Sequence, residues 1–432
     1  MFNIVLLISD DDPKKYTHHR DVMPKKFHHM VDGGIDYDNG FCSTPLCTPT
    51  RWTMICGKHQ HTHRVTVNTD TGYSAGKSKG LLLDTPATRL QSMGYRVGYF
   101  GKIQNGYFNM PLDLPPGYDQ SAWFVHANKI VDTEPSHTFN EFGTVRTFAQ
   151  PPHYSSELIT SRVESFLNQQ STRPEPFFIT ASYLSPHSPY KPEPEYEHLH
   201  DDTPLAITPN MTGMSPAERE AQQQVQEGKL EEVQELDEAI DRIYTSLAAN
   251  GQLENTYVIH VADNGYLLGE HDQYQKDKWW NETVKIPFTA TGPTIPAGVK
   301  SPALVSHIDI PTTIADLAGA SWSDWDGRSL VPTFSGVVPT DWRTKVLIES
   351  TGSGWKMLRT MDYQTNEAYA YIQRSNKTEP ILIFDIGGDD ADPYELTNIV
   401  NTAEGQQVKS WLQPILNSMV TCRGNTCRVT EA

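Results

Sequence analysis

Hydrophobic and polar positions along the chain fall into three textures. Residues 3–9, NIVLLIS, are a continuous apolar run that stops abruptly at Asp10, Asp11 and Asp12. Such a run is expected of a strand buried on both faces of a sheet. Residues 256–262, TYVIHVA, repeat the grammar and stop at Asp263, Asn264 and Gly265. Further strand candidates lie at 95–100, 176–182 and 286–290. Between 215 and 250 the period changes: Leu230, Val233, Leu236, Ile240, Ile243 and Leu247 recur at helical spacing, Ser215 and Glu218 form a capping box, and Gly251 supplies the stop. Strands alternating with helices predict an α/β fold, a large and mostly parallel sheet sandwiched by helices.

The second texture begins past Gly327, where VLIES, KMLRT, AYAYIQR and ILIFDI follow one another at hairpin spacing, ahead of a helix near 405–419. It predicts a smaller α+β unit with a short antiparallel sheet, dividing the chain into residues 1–335 and 336–432. The third texture, at 104–155 and 183–214, is rich in Pro, Gly, His and aromatics with little periodicity. These segments read as long loops, which in a compact domain are often functional.

Charge narrows the partners. With 35 basic and 53 acidic residues among 432, the net charge of -18 argues against a broad face for nucleic acid or anionic lipid. No apolar run approaches a membrane span, and the N-terminal stretch is too short and lacks the basic flank of a signal peptide. Five cysteines, at 42, 47, 56, 422 and 427, match no zinc spacing. Two readings stay open for them: five reduced thiols, or two bridges in an oxidising compartment with Cys422–Cys427 as a local pair.

Two strands ending in acid or amide pairs bring candidate chemistry, because ligands of open α/β sheets gather at the carboxyl ends of strands. Asp10 and Asp11 facing Asp263 and Asn264 would offer four hard oxygen donors, a set suited to Ca²⁺ or Mg²⁺ rather than zinc. The densest local signal is LCTPTR at 46–51. Thr48 suits an N-cap, Pro49 the first helical position and Gly57 the exit, which puts Cys47 at the amino end of a short helix as a primed thiol, with Arg51 one turn in.

Cys47-Thr48-Pro49-Thr50-Arg51 resembles the C-x-P-x-R signature of the sulfatases, members of the alkaline-phosphatase-like superfamily. Other landmarks follow in order: NIVLLISDDD resembles the first metal motif, GYFGK (98–102) the lysine motif, PFFITASYLSPHSPY (176–190) the histidine motif, ADNGY (262–266) the second metal motif, KDKWWNETVKIP (276–287) the second lysine segment, and DPYEL (392–396) a C-terminal element. GKIQNGY, GKHQHTH and ADNGY are closest to the glucosamine-6-sulfatase and heparan endosulfatase group.

The resemblance implies that a maturation enzyme oxidises Cys47 to formylglycine. It places Arg51 and Lys102 around that side chain, His187 and Lys276 near the sulfate and the leaving oxygen, and a Ca²⁺ or Mg²⁺ ion on Asp10, Asp11, Asp263 and Asn264. Gln104 departs from the histidine many arylsulfatases carry there, Asn281 from a common Glu, and Asp12 has no assigned role. His61, His63, Asn105, Trp123, His126, Trp279 and Trp280 are hydrogen-bonding or stacking candidates for a sugar ring. The expected function is hydrolysis of sulfate esters on a sulfated carbohydrate in a secreted, periplasmic or lysosome-like setting. Competing readings are a phosphodiesterase or phosphonate monoester hydrolase, and a sulfated-glycan-binding protein whose Cys47 is never converted.

Overall fold

The computed structural model describes the chain except residues 119, 125–135, 150–152, 321, 376–379, 389–390 and 432, and the side chains of 120–124, 136, 429 and 430. Among the described residues the main sheet has ten strands. Its order is Val299–Ser306, Ile35–Phe41, Phe288–Thr291, Thr256–Ala262, Asn3–Ser9, Phe177–Ser182, Arg96–Gly101, Gln120–Phe124, Ser136–Glu141 and Thr144–Ala149. The five strands from Thr256–Ala262 to Gln120–Phe124 run parallel.

Register is what builds the site. Ser9 pairs with Ala262, Ile8 with Ser182, and Ser182 with Gly101. The next residues out, Asp10, Asp263 and Lys102, therefore leave the sheet along one row at its carboxyl edge.

The central strand is apolar throughout because both of its faces are covered. Ile4, Leu6 and Ile8 join one core cluster, while Val5 and Leu7 join another with Val233, Leu236, Ile240 and Ile243 of the long helix. That helix, Pro216–Ala249, has the expected Ser215–Glu218 capping box, and Gly251 takes a left-handed φ of 67° after it. A second sheet of four antiparallel strands follows, Lys345–Ser350, Trp355–Thr360, Tyr369–Arg374 and Ile381–Asp385, packed by the helix Ala403–Met419.

Several expectations need correction. Residues 104–155 are not all loop: Gln120–Phe124, Ser136–Glu141 and Thr144–Ala149 extend the sheet. Thr144–Ala149 is exposed at nearly every position, so no buried face imposed an alternation that could be read. Ile35–Phe41 was hidden by Asp36, Asp38 and Asn39 in its middle. Cys422 and Cys427 form a disulfide, whereas Cys42 and Cys56 are buried free thiols, so a second bridge does not form.

Candidate functional site

Cys47 opens the helix Cys47–Cys56, which follows the strand Ile35–Phe41 and points its amino end at the carboxyl edge of the parallel strands. The cap is not Thr48. Leu46 is the N-cap residue, with no side-chain cap of its own, and the Thr48 N–H donates instead to Asn68 Oδ1 at 2.8 Å. An amide borrowed from a loop twenty residues on satisfies the helix end. Gly57 ends the helix at φ 65°, as expected. Gln104 is buried, and with its amide nitrogen toward Thr48 it donates to Thr48 O at 3.2 Å and accepts from Trp52 N at 3.0 Å. It steadies the helix from the position where a histidine was expected.

Around Cys47 the structure gathers residues from five separate segments. Lys276 Nζ lies 2.8 Å from Cys47 Sγ, Asp10 Oδ1 3.5 Å and Asp11 Oδ1 4.0 Å. Lys276 also donates to Asp11 Oδ1 at 2.5 Å, and Lys102 Nζ pairs with Asp10 Oδ2. Arg51, fully buried, donates through Nε to Asp263 Oδ2 at 2.9 Å and through Nη1 to Lys102 O and Ser182 Oγ, and its Nη2 lies 3.4 Å from Asp10. Asp263 Oδ1 accepts from the Asp11 N–H at 3.0 Å, and Asn264 Nδ2 donates to Asp11 Oδ1 at 2.6 Å. His187 Nε2 stands 3.6 Å from Asp11 Oδ2, while its Nδ1 donates to the Ser188 carbonyl at 2.5 Å. That bond leaves the lone pair of neutral His187 on Nε2, facing the cluster.

Burial and charge compete at every group. Burial alone would raise Asp10, but Lys102, His187, Arg51 and Lys276 outweigh it and hold its carboxyl well below the usual range. Asp11 is lowered in the same way, chiefly by Lys276. Asp263 goes the other way, to about 6, because burial and the neighbouring Asp10 exceed the pull of Arg51. Burial takes His187 down to about 4, against Asp11 and Asp10. The expectation of a primed thiol fails: burial pushes Cys47 up to about 12 even beside Lys102 and Lys276. An unmodified thiol here is a weak nucleophile at neutral pH.

The donor set can be tested for a cation. Asp10, Asp11 and Asp263 converge with Asn264, whose Oδ1 is buried without a partner. Three carboxylates and one orphaned amide oxygen form a hard-oxygen set that suits Ca²⁺ or Mg²⁺. Asp12 takes no part. It accepts from Ser9 Oγ at 2.7 Å and from Thr17 Oγ1, which fixes the loop from behind.

The sugar-binding candidates fare differently. Both ring nitrogens of His61 are engaged, Nδ1 with Glu349 Oε1 and Nε2 with Cys422 O, each at 2.9 Å, so His61 ties down the C-terminal segment. His63 is buried against Thr53 at 3.3 Å and held at about 3 by burial. Trp280 is core: it stacks on His271 at 3.5 Å and packs against Phe384. Burial encloses His63 and Trp280, while half-buried His61 is engaged at both ring nitrogens. Trp279 is half-buried between Trp355 and Arg374, and Asn105 is half-buried with its carbonyl taken by Tyr73 N. His126 and the Trp123 side chain lie outside the described residues.

Three residues that carried no sequence signal support the site. His307 bridges Thr50 Oγ1 and Ala262 O, both at 2.7 Å, and so links the Cys47 helix to the Asp263 strand. Ser182 accepts from Arg51. Lys229, on the long helix, reaches the backbone of Asp11.

A family profile described as Sulfatase matches residues 3–320. The chain belongs to the sulfatase family. A second profile, N-sulphoglucosamine sulphohydrolase, C-terminal, matches residues 269–421 of this sulfatase-family chain. Among curated relatives, it is 28% identical over 372 residues to an extracellular sulfatase SULF-1 homolog of Drosophila melanogaster, covering 81% of the chain and 33% of the relative. It is 25% identical over 480 residues to an N-acetylglucosamine-6-sulfatase of Capra hircus, covering 99% and 84%. The chain therefore spans a third to a half of the extracellular relatives it matches. A solved structure in complex with D-glucosamine-2-N,6-O-disulfate superposes with a TM-score of 0.79 at 21% identity, covering 96% of this chain and 97% of the other. A phosphonate monoester hydrolase of Agrobacterium radiobacter superposes at 0.73 with 18% identity, covering 96% and 95%. These structures share the fold, and the fold alone does not separate their chemistries.

Proposed function

We propose that this chain hydrolyses sulfate esters of a sulfated carbohydrate, with formylglycine at position 47 as nucleophile and a divalent cation, Ca²⁺ or Mg²⁺, held by Asp10, Asp11, Asp263 and Asn264. The observation that carries the reading is the crowding at Cys47 Sγ: Lys276 at 2.8 Å, Asp10 at 3.5 Å and Asp11 at 4.0 Å, inside the signature Cys47-Thr48-Pro49-Thr50-Arg51. A maturation enzyme that converts Cys47 is implied. In this reading residues 1–335 carry the chemistry and residues 336–432 brace the segment behind Lys276, Glu395 Oε2 accepting from the Asn281 N–H at 2.9 Å.

A sulfated thiol has no easy route to release sulfate, whereas a hydrated aldehyde supplies one hydroxyl to attack sulfur and a second whose deprotonation expels sulfate. The cation, when bound, polarises oxygen at the reacting centre. The chain's own residues do the rest. Arg51 is held by three acceptors and an ion pair to Asp10, so it balances the carboxylates beneath position 47. Lys276 and Lys102 end in flexible stems and can move their ammonium groups from Asp11 and Asp10 to sulfate oxygens, where charge grows in the transition state. Lys276, which stays protonated beside Asp11, is the donor in reach of the leaving alkoxide, while His187, its Nδ1 proton tied to Ser188 O, presents the Nε2 lone pair and would give a proton there only after taking one up.

The N-acetylglucosamine-6-sulfatases among the relatives make a 6-O-sulfated glucosamine unit the first substrate to assay. The disulfide Cys422–Cys427 and the extracellular relatives support an oxidising, secreted or lysosome-like compartment. Among the described residues no helix is long and apolar enough to cross a membrane.

The deciding measurement is the mass of the peptide containing Cys47 after expression with maturation machinery, paired with assays on a sulfated glucosamine, an aryl sulfate and a phosphate diester. Loss of sulfur with gain of an aldehyde and turnover of the sulfate esters is expected. Preference for the diester would move the chain to the phosphonate-hydrolase side, and an intact thiol with retained glycan binding would leave a binding protein.

A further inference from the structure

The loop that carries His187 has almost no secondary structure, yet its backbone is held at regular intervals by one face of the long helix. Lys229 Nζ donates to Pro186 O at 2.8 Å, Glu232 Oε1 accepts from Lys191 N at 2.9 Å, and Glu235 Oε1 accepts from Glu193 N at 2.7 Å, with Glu235 Oε2 taking Ser185 Oγ at 3.3 Å. These three residues are spaced i, i+3, i+6 on the helix, so they project in one row.

Lys229 differs from the other two in reaching a second loop, the same ammonium donating to the backbone carbonyl of Asp11 at 2.8 Å. It is 1% exposed, and its Nζ sits 4.2 Å from the Tyr266 ring centroid and 5.4 Å from that of Tyr190. Two carbonyls and an aromatic face account for the three hydrogens of the ammonium. The helix is shaped to permit this. Gly228 sits in its interior, where glycine costs about 1 kcal/mol relative to alanine, and a Cβ there would come within 2.4 Å of Tyr190 Cβ.

We propose that Lys229 is a positioning residue that locks the Asp10–Asp11 loop and the His187 loop to each other, setting where the Asp11 carboxylate and His187 Nε2 point. Such a lock suits Asp11, which holds a left-handed φ of 55°, uncommon for a residue other than glycine, and whose N–H is also held by Asp263. A single cation bonded to both loops fixes them at once. Glu232 and Glu235 extend the same grip down the His187 loop through Lys191 N and Glu193 N. The inference rests on the proposed role of Asp11 in holding the cation.

The test compares full-length wild type with Lys229→Met and Glu232→Gln, measuring Ca²⁺ and Mg²⁺ affinity by calorimetry after chelation, melting temperature in chelator, and kcat and KM on a sulfate ester. Lys229→Met should weaken cation binding at least tenfold and lower kcat at least tenfold with a smaller change in KM, while melting cooperatively in chelator. Glu232→Gln should leave cation affinity within twofold of wild type. Equal affinity in wild type and Lys229→Met overturns the proposal, as does equal weakening by both variants, which would mark general loosening of the helix face. If the Met variant does not fold, Lys229→Leu, which also removes every donor, carries the same comparison. A wild type that binds neither cation would instead sink the functional reading itself.

Discussion

Two buried acidic clusters sit on either side of the segment 270–282, and they are built from similar parts. At the first, Asp10, Asp11 and Asp263 face Arg51, Lys102 and Lys276. At the second, Glu270, Glu282 and Glu395 face Lys15 and Arg359. Acid content does not separate them, and the donors do. Glu270 takes the Leu268 N–H at 2.7 Å and Tyr16 Oη, Glu395 takes the Asn281 N–H at 2.9 Å and the buried Arg359, and Glu282 takes Asn210 Nδ2 at 3.1 Å. Backbone amides and a walled-in guanidinium cannot withdraw. At the first cluster two of the three cations are lysines on loops. In the proposed reading the first cluster rearranges to admit a cation and a sulfate, whereas the second is a rivet joining the C-terminal element DPYEL to the segment behind Lys276.

The largest effect that would sharpen this contrast is Cys47→Ala, expected to lower turnover by about a thousand-fold or more, as removal of a nucleophile does, with an unchanged melting temperature. Residual turnover near wild type would mean that the first cluster works without position 47. Next comes Asp263→Asn, which removes a carboxylate that both Arg51 and the Asp11 N–H use. Cation affinity should fall by more than the roughly 10–100-fold that outer-sphere partners command, and calorimetric titration would show it. At the second cluster the outcome should invert. Arg359→Met leaves Glu395 buried without its ion pair and should cost about 3–5 kcal/mol in chemical denaturation, with cation affinity retained. Loss of cation binding in Arg359→Met would erase the distinction between the clusters.

The first cluster was legible in sequence and the second was not, for a physical reason. A strand buried on both faces leaves an unbroken apolar run, so the polar residues at its end stand out, and register then places Asp10, Asp263 and Lys102 in one row. The long helix and its capping box were legible through period and cap chemistry. What failed depended on partners distant in sequence. Asn68 capping the Cys47 helix, Lys229 under Asp11, and His61 bonded to Cys422 O each join residues whose spacing carries no pattern. Trp280 and His63 looked like sugar-binding groups because aromatic and imidazole side chains read alike at a surface and in a core, and only burial tells them apart.

The smallest expected effect tests the rivet from inside. Burial, then Glu270, raises Glu282 from 4.5 to about 7, and its Oε2 has no hydrogen-bond partner. A carboxyl whose folded value is raised contributes stability that is complete below 4.5 and is lost as pH climbs through about 7. That loss amounts to at most about 3 kcal/mol. Glu282→Gln keeps the shape and the acceptor for Asn210 without a charge to desolvate. The variant should match wild type at pH 5 and exceed it in denaturation midpoint at pH 8. Parallel stability curves for the two proteins between pH 5 and 8 would show that Glu282 is charged throughout, neutralised by Lys15 at 3.7 Å, and that the second cluster holds its charge as firmly as the first.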